Sequence, residues 1–141
     1  MWKKSYTQTF KGIQKEDIWP LWADVSNWSQ WHDDLDYCKI EGSFAVGNHF
    51  MLKPKDMKAV KIELVKIDEG KSFTDCTTFL GAKMYDTHEL EETDDGLKLT
   101  NTLVVTGLLR YLWIKLVAQN VHDTAPKELD ALVKLARSRH G

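Results

Sequence analysis

The sequence has little cysteine, little proline and no long hydrophobic run. Two of its 141 residues are cysteines, Cys38 and Cys76, and they lie in no CxxC or Cys/His spacing, so zinc binding and thioredoxin-type redox chemistry are not expected. No stretch approaches the roughly 18 apolar residues of a membrane span, and lysines interrupt the N-terminal residues where a signal peptide would be apolar. We therefore expect a cytoplasmic protein without integral membrane association.

Charge of one sign is also scarce, because 19 basic side chains stand against 21 acidic ones. A formal charge of -2 gives no electrostatic reason to expect nucleic acid or an anionic membrane as a partner. The chain has no P-loop, GxGxxG, HExxH or GxSxG motif, and we expect no cofactor and no metal. His32 and the aspartates that follow it lack calcium-loop spacing and are interpreted as a solvated helix end.

What the chain does contain is typical of one globular domain spanning residues 1–141. Hydrophobic residues make up 43% and charged residues 28%, and neither an internal repeat nor a linker-like segment divides the sequence. Six tryptophans are the unusual feature of the composition.

Hydrophobic periodicity predicts the order of the elements. Residues 2–11 alternate as a strand buried on one face, 16–25 favour a short helix, and Ser26 is suited to cap a second short helix that carries Trp28 and Trp31. From Tyr37 onward a period of two, broken by glycine-containing turns, predicts about six antiparallel strands joined by hairpins. After Gly107 an apolar stripe at spacings of three and four predicts one long helix, which Pro126 should kink without ending.

These elements leave few ways to bury every apolar face. We expect an α+β fold in which a curved antiparallel sheet of about seven strands wraps around the C-terminal helix, with two short helices after the first strand. Such a sheet encloses a volume that side chains need not fill, which is the argument for a binding cavity between sheet and helix.

Several segments also resemble one protein family. The sequence resembles the polyketide cyclase/dehydrase-like (lipid transport) family of the START or birch-pollen-allergen-like (SRPBCC) superfamily in these segments: Ile18-Trp19, Asp24-Val25, Asn27-Trp28 and Trp31; Gly42 to Gly47 with Leu52-Lys53-Pro54; Leu80-Gly81-Ala82 with His88; and Val105 to Leu108. The resemblance implies a helix-grip fold with a hydrophobic tunnel. It implies little about chemistry, because such folds host lipid carriers, cyclases and hydrolases.

Strand register predicts a polar cluster on the apolar, concave face of the sheet. With turns at Gly81-Ala82 and Asp95-Gly96, Asp75 is predicted opposite His88, while Asp86 and Asn101 share the same face. Burying such groups without partners costs about 1–3 kcal/mol each, so they must satisfy one another, internal water or a ligand. His88, Asp75 and Asp86 are the candidate catalytic residues.

The predicted ligand-binding residues are those that face the tunnel. Trp28 and Trp31 are expected at its mouth, partly exposed. The full predicted set is Trp28, Trp31, Ile62, Leu64, Phe73, Asp75, Thr77, Phe79, Met84, Asp86, His88, Leu90, Asn101, Leu103, Trp113 and Val117.

Three functions remain open from the sequence. The first is binding or transport of a small hydrophobic or amphipathic molecule, of lipid, polyketide or aromatic class, by a monomer or homodimer. The second is a metal-free enzyme that uses Asp75 and His88 for an aldol cyclisation or dehydration. The third is a non-catalytic interaction protein with a collapsed tunnel. The absence of an accompanying nucleophile, metal set or cofactor motif favours a protein that is not an enzyme.

Overall fold

A computed structural model describes residues 1–139. Its sheet has seven strands: β1 (Trp2–Phe10), β2 (Leu35–Ile40), β3 (His49–Pro54), β4 (Val60–Asp68), β5 (Ser72–Phe79), β6 (Ala82–Thr93) and β7 (Gly96–Thr106). All neighbouring strands are antiparallel, in the order β1-β7-β6-β5-β4-β3-β2. The predicted α+β architecture is therefore confirmed.

The connection between β1 and β2 contains two short helical segments. Helix α1 (Lys15–Ala23) begins with a capping box, in which the backbone N–H of Gln14 donates to Asp17 at 2.8 Å. The second segment is a 3₁₀ helix (Val25–Gln30), and Ser26 does not cap it: its hydroxyl accepts a hydrogen bond from the Ile40 N–H instead. The predicted cap was therefore wrong, and Trp31 lies just beyond the helix.

The C-terminal helix is continuous but not uniform. It comprises α2 (Arg110–Trp113), a wider π turn (Ile114–Ala118) and α3 (Gln119–Ser138). The helix passes through Pro126 without ending, as predicted, while the π turn gave no recognised signal in the sequence. No helix within residues 1–139 is long and apolar enough to cross a membrane.

The long helix packs against the concave face of the sheet, as its apolar stripe predicts. Trp113 stacks on Phe79 with ring centroids 4.4 Å apart, and its indole N–H donates to the Leu80 carbonyl at 2.8 Å. Val117 and Val121 pack against the buried Met84, Leu103 and Val105, while Leu132 is fully buried further along the helix.

Two hairpin turns lie one residue earlier than predicted. Phe79 pairs with Ala82 and Thr93 pairs with Gly96, so the turn residues are Leu80-Gly81 and Asp94-Asp95. Moving a turn by one residue shifts the pairing by two, and a shift of two keeps every side chain on its predicted face. The concave face is therefore as predicted, but the cross-strand partners on it are not.

Gly96 explains why the second turn moves. It lies in β7 with φ +134°, and a Cβ there would lie 2.4 Å from the Phe10 carbonyl oxygen. Only glycine allows this close approach of β1 and β7, so its place is set by strand packing and not by the turn.

Candidate functional site

A polar band crosses the concave face between two apolar clusters. Along β6, Asp86 and His88 lie between Met84, which belongs to one cluster, and Leu90, which belongs to the other. Asp75 on β5 and Asn101 on β7 hold the corresponding positions on the neighbouring strands. The sheet register thus brings four polar side chains together inside an apolar interior.

His88 lies at the centre of this band. Its Nε2 is 3.4 Å from Asp86 Oδ1 and 3.6 Å from Asp75 Oδ2. The same Nε2 atom is buried and forms no hydrogen bond within residues 1–139. The predicted proximity of Asp75 and His88 is confirmed, although the two residues are diagonal neighbours.

The two aspartates lie directly opposite each other, where Asp75 was predicted to face His88. Like charges at directly opposed positions repel, and burial further disfavours ionised carboxylates. Burial raises the pKa of Asp86 to about 7, with His88 lowering it and the charge of Asp75 raising it. Burial also raises the pKa of Asp75, against the influence of His88.

The pKa of the His88 imidazole depends on both carboxylates. Burial disfavours the imidazolium, but the charges of Asp86 and Asp75 outweigh this effect and raise the pKa of His88. The cluster therefore takes up protons in the neutral range, and its members share them.

Asn101 orients one of the carboxylates. Its Nδ2 donates to Asp86 Oδ1, while its Oδ1 is buried and has no hydrogen-bond partner within the described residues. The band thus presents two atoms that form no hydrogen bond within residues 1–139: Asn101 Oδ1, and His88 Nε2, which has the carboxylates of Asp75 and Asp86 within ion-pair distance.

Aromatic rings from strand β5 and from helix α1 enclose His88. The Phe73 ring stacks on the imidazole at a centroid distance of 4.4 Å, and the Trp22 ring of α1 lies 5.8 Å away. Trp28 and Trp31 are only 4% and 6% exposed, so their expected partial exposure was wrong. The 3₁₀ helix turns both indoles inward, and the Trp28 N–H donates to the Trp22 carbonyl at 2.9 Å.

The remaining predicted ligand-binding residues are buried, except Phe79, Trp113 and Val117, which are half-buried. The apolar ones divide between the two clusters, and Thr77 is buried on β5 beside the polar band. The first cluster contains Trp28, Trp31, Ile62, Leu64, Phe73 and Leu90; the second contains Met84 and Leu103, with Phe79 and Val117 packed against it, and Trp113 on Phe79.

A second histidine cluster was not recognised from the sequence. His32 Nδ1 lies 3.2 Å from Glu128 Oε1 and 3.8 Å from Asp34 Oδ1. His32 was interpreted as part of a solvated helix end, but its side chain is only 12% exposed because the helix α3 covers it. Glu128 follows Val121 by seven residues and precedes Leu132 by four, so its place beside the apolar stripe was a usable signal.

At this second cluster the carboxyl group of Asp34 is more exposed to solvent, and its pKa shifts in the opposite direction to those of Asp75 and Asp86. Burial lowers the pKa of His32, but hydrogen bonds and charges from Asp34 and Glu128 outweigh it and raise the value to about 9. The hydrogen bond to His32 lowers the pKa of Asp34, which remains 56% exposed.

Glu128 connects the two clusters. It lines a surface groove of about 160 Å³ together with Trp31 and Asp34, and its charge contributes to raising the pKa of both Asp86 and His88. Glu128 therefore lines the groove and acts on the polar band through its charge, while none of the four residues of the band lines the groove. A wider groove of about 460 Å³ lies elsewhere, among mainly charged and polar residues such as Lys15, Asp68 and Glu89.

The donor atoms would also suit a divalent cation. Within residues 1–139, two groups each bring three ligand atoms within 4.8 Å of one another: His32, Asp34 and Glu128, and Asp75, Asp86 and His88. Without a metal, the second group can donate a proton or a hydrogen bond to a ligand oxygen, and a group with a pKa near 7 can act as a general acid or base.

Comparisons with known proteins give the fold. No family model and no curated protein matches the sequence. Among solved structures, Ara h 8.0201 is 16% identical, covering 96% of this chain and 97% of its own, with a TM-score of 0.76. A hypothetical protein from Helicobacter pylori is 14% identical, covering 95% and 87%, with a TM-score of 0.76.

An enzyme has the same architecture. Norcoclaurine synthase from Thalictrum flavum, solved in complex with dopamine and hydroxybenzaldehyde, is 16% identical, covering 96% of this chain and 87% of its own, with a TM-score of 0.68. The helix-grip fold implied by the sequence resemblance is therefore confirmed, in its birch-pollen-allergen-like form. Identities this low show the fold alone.

Proposed function

We propose that the chain binds a small amphipathic molecule whose polar end contacts Asp86, His88 and Asn101 while its apolar part lies between the sheet and the C-terminal helix. The supporting observation is that His88 Nε2 and Asn101 Oδ1 are buried without hydrogen-bond partners within residues 1–139. An unsatisfied buried polar atom costs about 1–3 kcal/mol, which a ligand can recover. A protonated His88 donates and Asn101 Oδ1 accepts, so a ligand that carries both a carbonyl and a hydroxyl group fits best.

Entry requires movement near the 160 Å³ groove. That volume is smaller than the 300–1,000 Å³ or so of a typical ligand pocket, so an occupant must displace side chains that now fill the interior. Trp31 lines the groove and belongs to the buried core, and it is the side chain we expect to move. Its indole fluorescence should change when the ligand saturates the protein.

The first experiment is native mass spectrometry of the purified protein, to find molecules that remain bound. The affinity of the identified molecule is then measured for the wild type, His88→Ala and the control His49→Ala, whose side chain is exposed on β3. Loss of one hydrogen bond weakens binding by about 0.5–1.5 kcal/mol, or about 1.5–3 kcal/mol if the group is charged. Equal affinity of His88→Ala and the wild type would contradict the proposal.

The second candidate function is acid–base catalysis, which the pKa of Asp86 near 7 favours. In that case the same His88→Ala variant should lose about 10²–10⁴-fold in turnover with a much smaller loss of affinity. Measuring binding and product formation on the same variant therefore separates a carrier from a cyclase or dehydratase. The dopamine and hydroxybenzaldehyde bound to norcoclaurine synthase show that this fold can hold two reactants in an enzyme, but they identify no substrate for this chain.

A further inference from the structure

Large apolar side chains are exposed together at one end of the molecule. Leu108 is 93% exposed, Leu80 80%, Tyr111 69% and Leu116 58%, and Leu109 and Leu112 are also exposed. We name these six residues the apolar end face. Scattered exposed hydrophobic residues are ordinary, but a contiguous group of them marks an interaction surface.

The face is held together by the contact between the β5–β6 turn and the start of the C-terminal helix. The Leu109 N–H donates to the Gly81 carbonyl at 2.9 Å, and the Trp113 indole donates to the Leu80 carbonyl at 2.8 Å. A Cβ at Gly81 would lie 2.7 Å from Leu109 Cγ, so the absence of a side chain there lets Leu109 pack on the turn. The face extends along the helix through exposed leucines that recur every four residues: Leu108, Leu112 and Leu116.

The chain segments that form the face carry charges of one sign. Lys83, Arg110 and Lys115 flank it, whereas residues 76–85 and 107–121 contain no aspartate or glutamate. The Arg110 guanidinium lies 4.6 Å from the centre of the Tyr111 ring, which places a cation directly beside exposed apolar surface. The net charge of -2 conceals this local excess of three positive charges.

We propose that the apolar end face docks on the surface of an anionic lipid bilayer, with its leucines and Tyr111 in the interfacial layer. Apolar side chains bordered by cations are the combination that interfacial membrane binding requires. A second copy of the chain is a poorer occupant, because a twofold contact would bring six cations together without an acidic partner from these segments. The net charge of -2, from which no anionic membrane partner was expected, averages over the whole surface and does not describe this face.

The test is co-flotation of the protein with vesicles of phosphatidylcholine alone and of phosphatidylcholine mixed with phosphatidylserine. The wild type should float with the mixed vesicles, and less so as salt is raised. Leu108→Glu/Leu112→Glu should abolish flotation. The matched control Val46→Glu/Met57→Glu adds the same charges at residues 59% and 56% exposed in other loops, and should retain it.

A single-charge variant tests the electrostatic part. Lys115→Ala should weaken binding to the mixed vesicles about five-fold, the order expected for one cation near an anionic surface. A wild type that fails to float, or a control that loses as much as the leucine variant, overturns the proposal. So does a wild-type dimer in size-exclusion chromatography that Leu108→Glu dissociates, since it identifies a second copy as the occupant. Ligand affinity in vesicle-free solution should be the same for the leucine variant and the wild type, so this test does not depend on the proposed ligand site.

Discussion

His32 and His88 each lie beside a pair of carboxylates, and the two pairs differ in their exposure to solvent. At His32 the carboxylates of Asp34 and Glu128 are 56% and 24% exposed, so they keep part of their hydration. At His88 the carboxylates of Asp75 and Asp86 are only 6% and 14% exposed.

The pKa shifts follow from this difference in hydration. The hydrogen bond to His32 lowers the pKa of Asp34, whereas burial raises those of Asp75 and Asp86. The same residue types thus form a charged ion pair in one place and a proton-sharing cluster in the other. The first joins α3 to the segment between the 3₁₀ helix and β2, and the second holds protonatable groups in the interior.

The largest expected effect concerns Asp86. Its pKa in the folded protein, about 7, exceeds the ordinary value of 3.8, so the folded state retains a proton that the unfolded state releases. Stability should therefore fall as pH rises from about 4 to 7, by up to about 1.4 kcal/mol per pH unit and on the order of 4 kcal/mol in total. Asp86→Asn removes the contribution of Asp86 to this fall and leaves that of Asp75, so the variant should be the more stable protein at pH 8, with little difference at pH 4.

Chemical denaturation across this pH range measures the effect. The control is Asp95→Asn, an exposed residue of the β6–β7 turn that should leave the pH profile unchanged. An Asp86→Asn protein less stable than the wild type at pH 8 would show that the carboxylate is a stabilising partner there.

The second prediction concerns His32, whose folded pKa of about 9 lies above its ordinary value of 6.5. The stabilisation is fully present below pH 6.5 and is lost as pH rises through 9, an effect on the order of 3 kcal/mol. His32→Gln should therefore destabilise the protein most below pH 6.5 and progressively less above it. His49→Gln serves as the control, and a loss that is the same at every pH would point to packing against Trp31 as the cause.

These two predictions depend on geometry that the sequence supplied only in part. The alternation of β5, β6 and β7 was sufficient to assign Asp75, Asp86, His88 and Asn101 to one buried face, because a period of two is insensitive to shifts of two residues. The partners were wrong because Gly81 was placed first in its turn, where it is second, and because Gly96 was placed in a turn, whereas it serves the contact with Phe10.

Contacts that depend on tertiary packing were harder to predict from the sequence. The pairing of His32 with Glu128 joins residues 96 positions apart and follows from how α3 packs beside the segment between the 3₁₀ helix and β2, which local periodicity does not specify. The inward orientation of Trp28 and Trp31 has the same origin. The apolar end face includes the leucine-rich run from Leu108 to Leu116, but the run was not recognised from the sequence as a separate surface.

The third prediction separates folding from binding at His88. His88→Gln should lower the free energy of unfolding at pH 6 by less than His32→Gln does, because the raised pKa values of Asp75 and Asp86 leave less negative charge beside His88 than Asp34 and Glu128 place beside His32. Ligand affinity should fall in the same variant. If His88→Gln is destabilised as strongly as His32→Gln, the two clusters share a structural role and the distinction between them fails.

The smallest effect tests the connection between the clusters. Glu128 contacts His32 directly and acts on His88 only through space, so Glu128→Gln should lower the pKa of His32 strongly and that of His88 slightly. NMR titration of the imidazole resonances measures both values in one sample. Asp130→Asn removes an exposed carboxylate from the same helix and should shift neither histidine. A Glu128→Gln protein in which only His32 responds would mean that the groove and the polar band are electrically independent, and that ligand entry beside Trp31 gains nothing from the charge of Glu128.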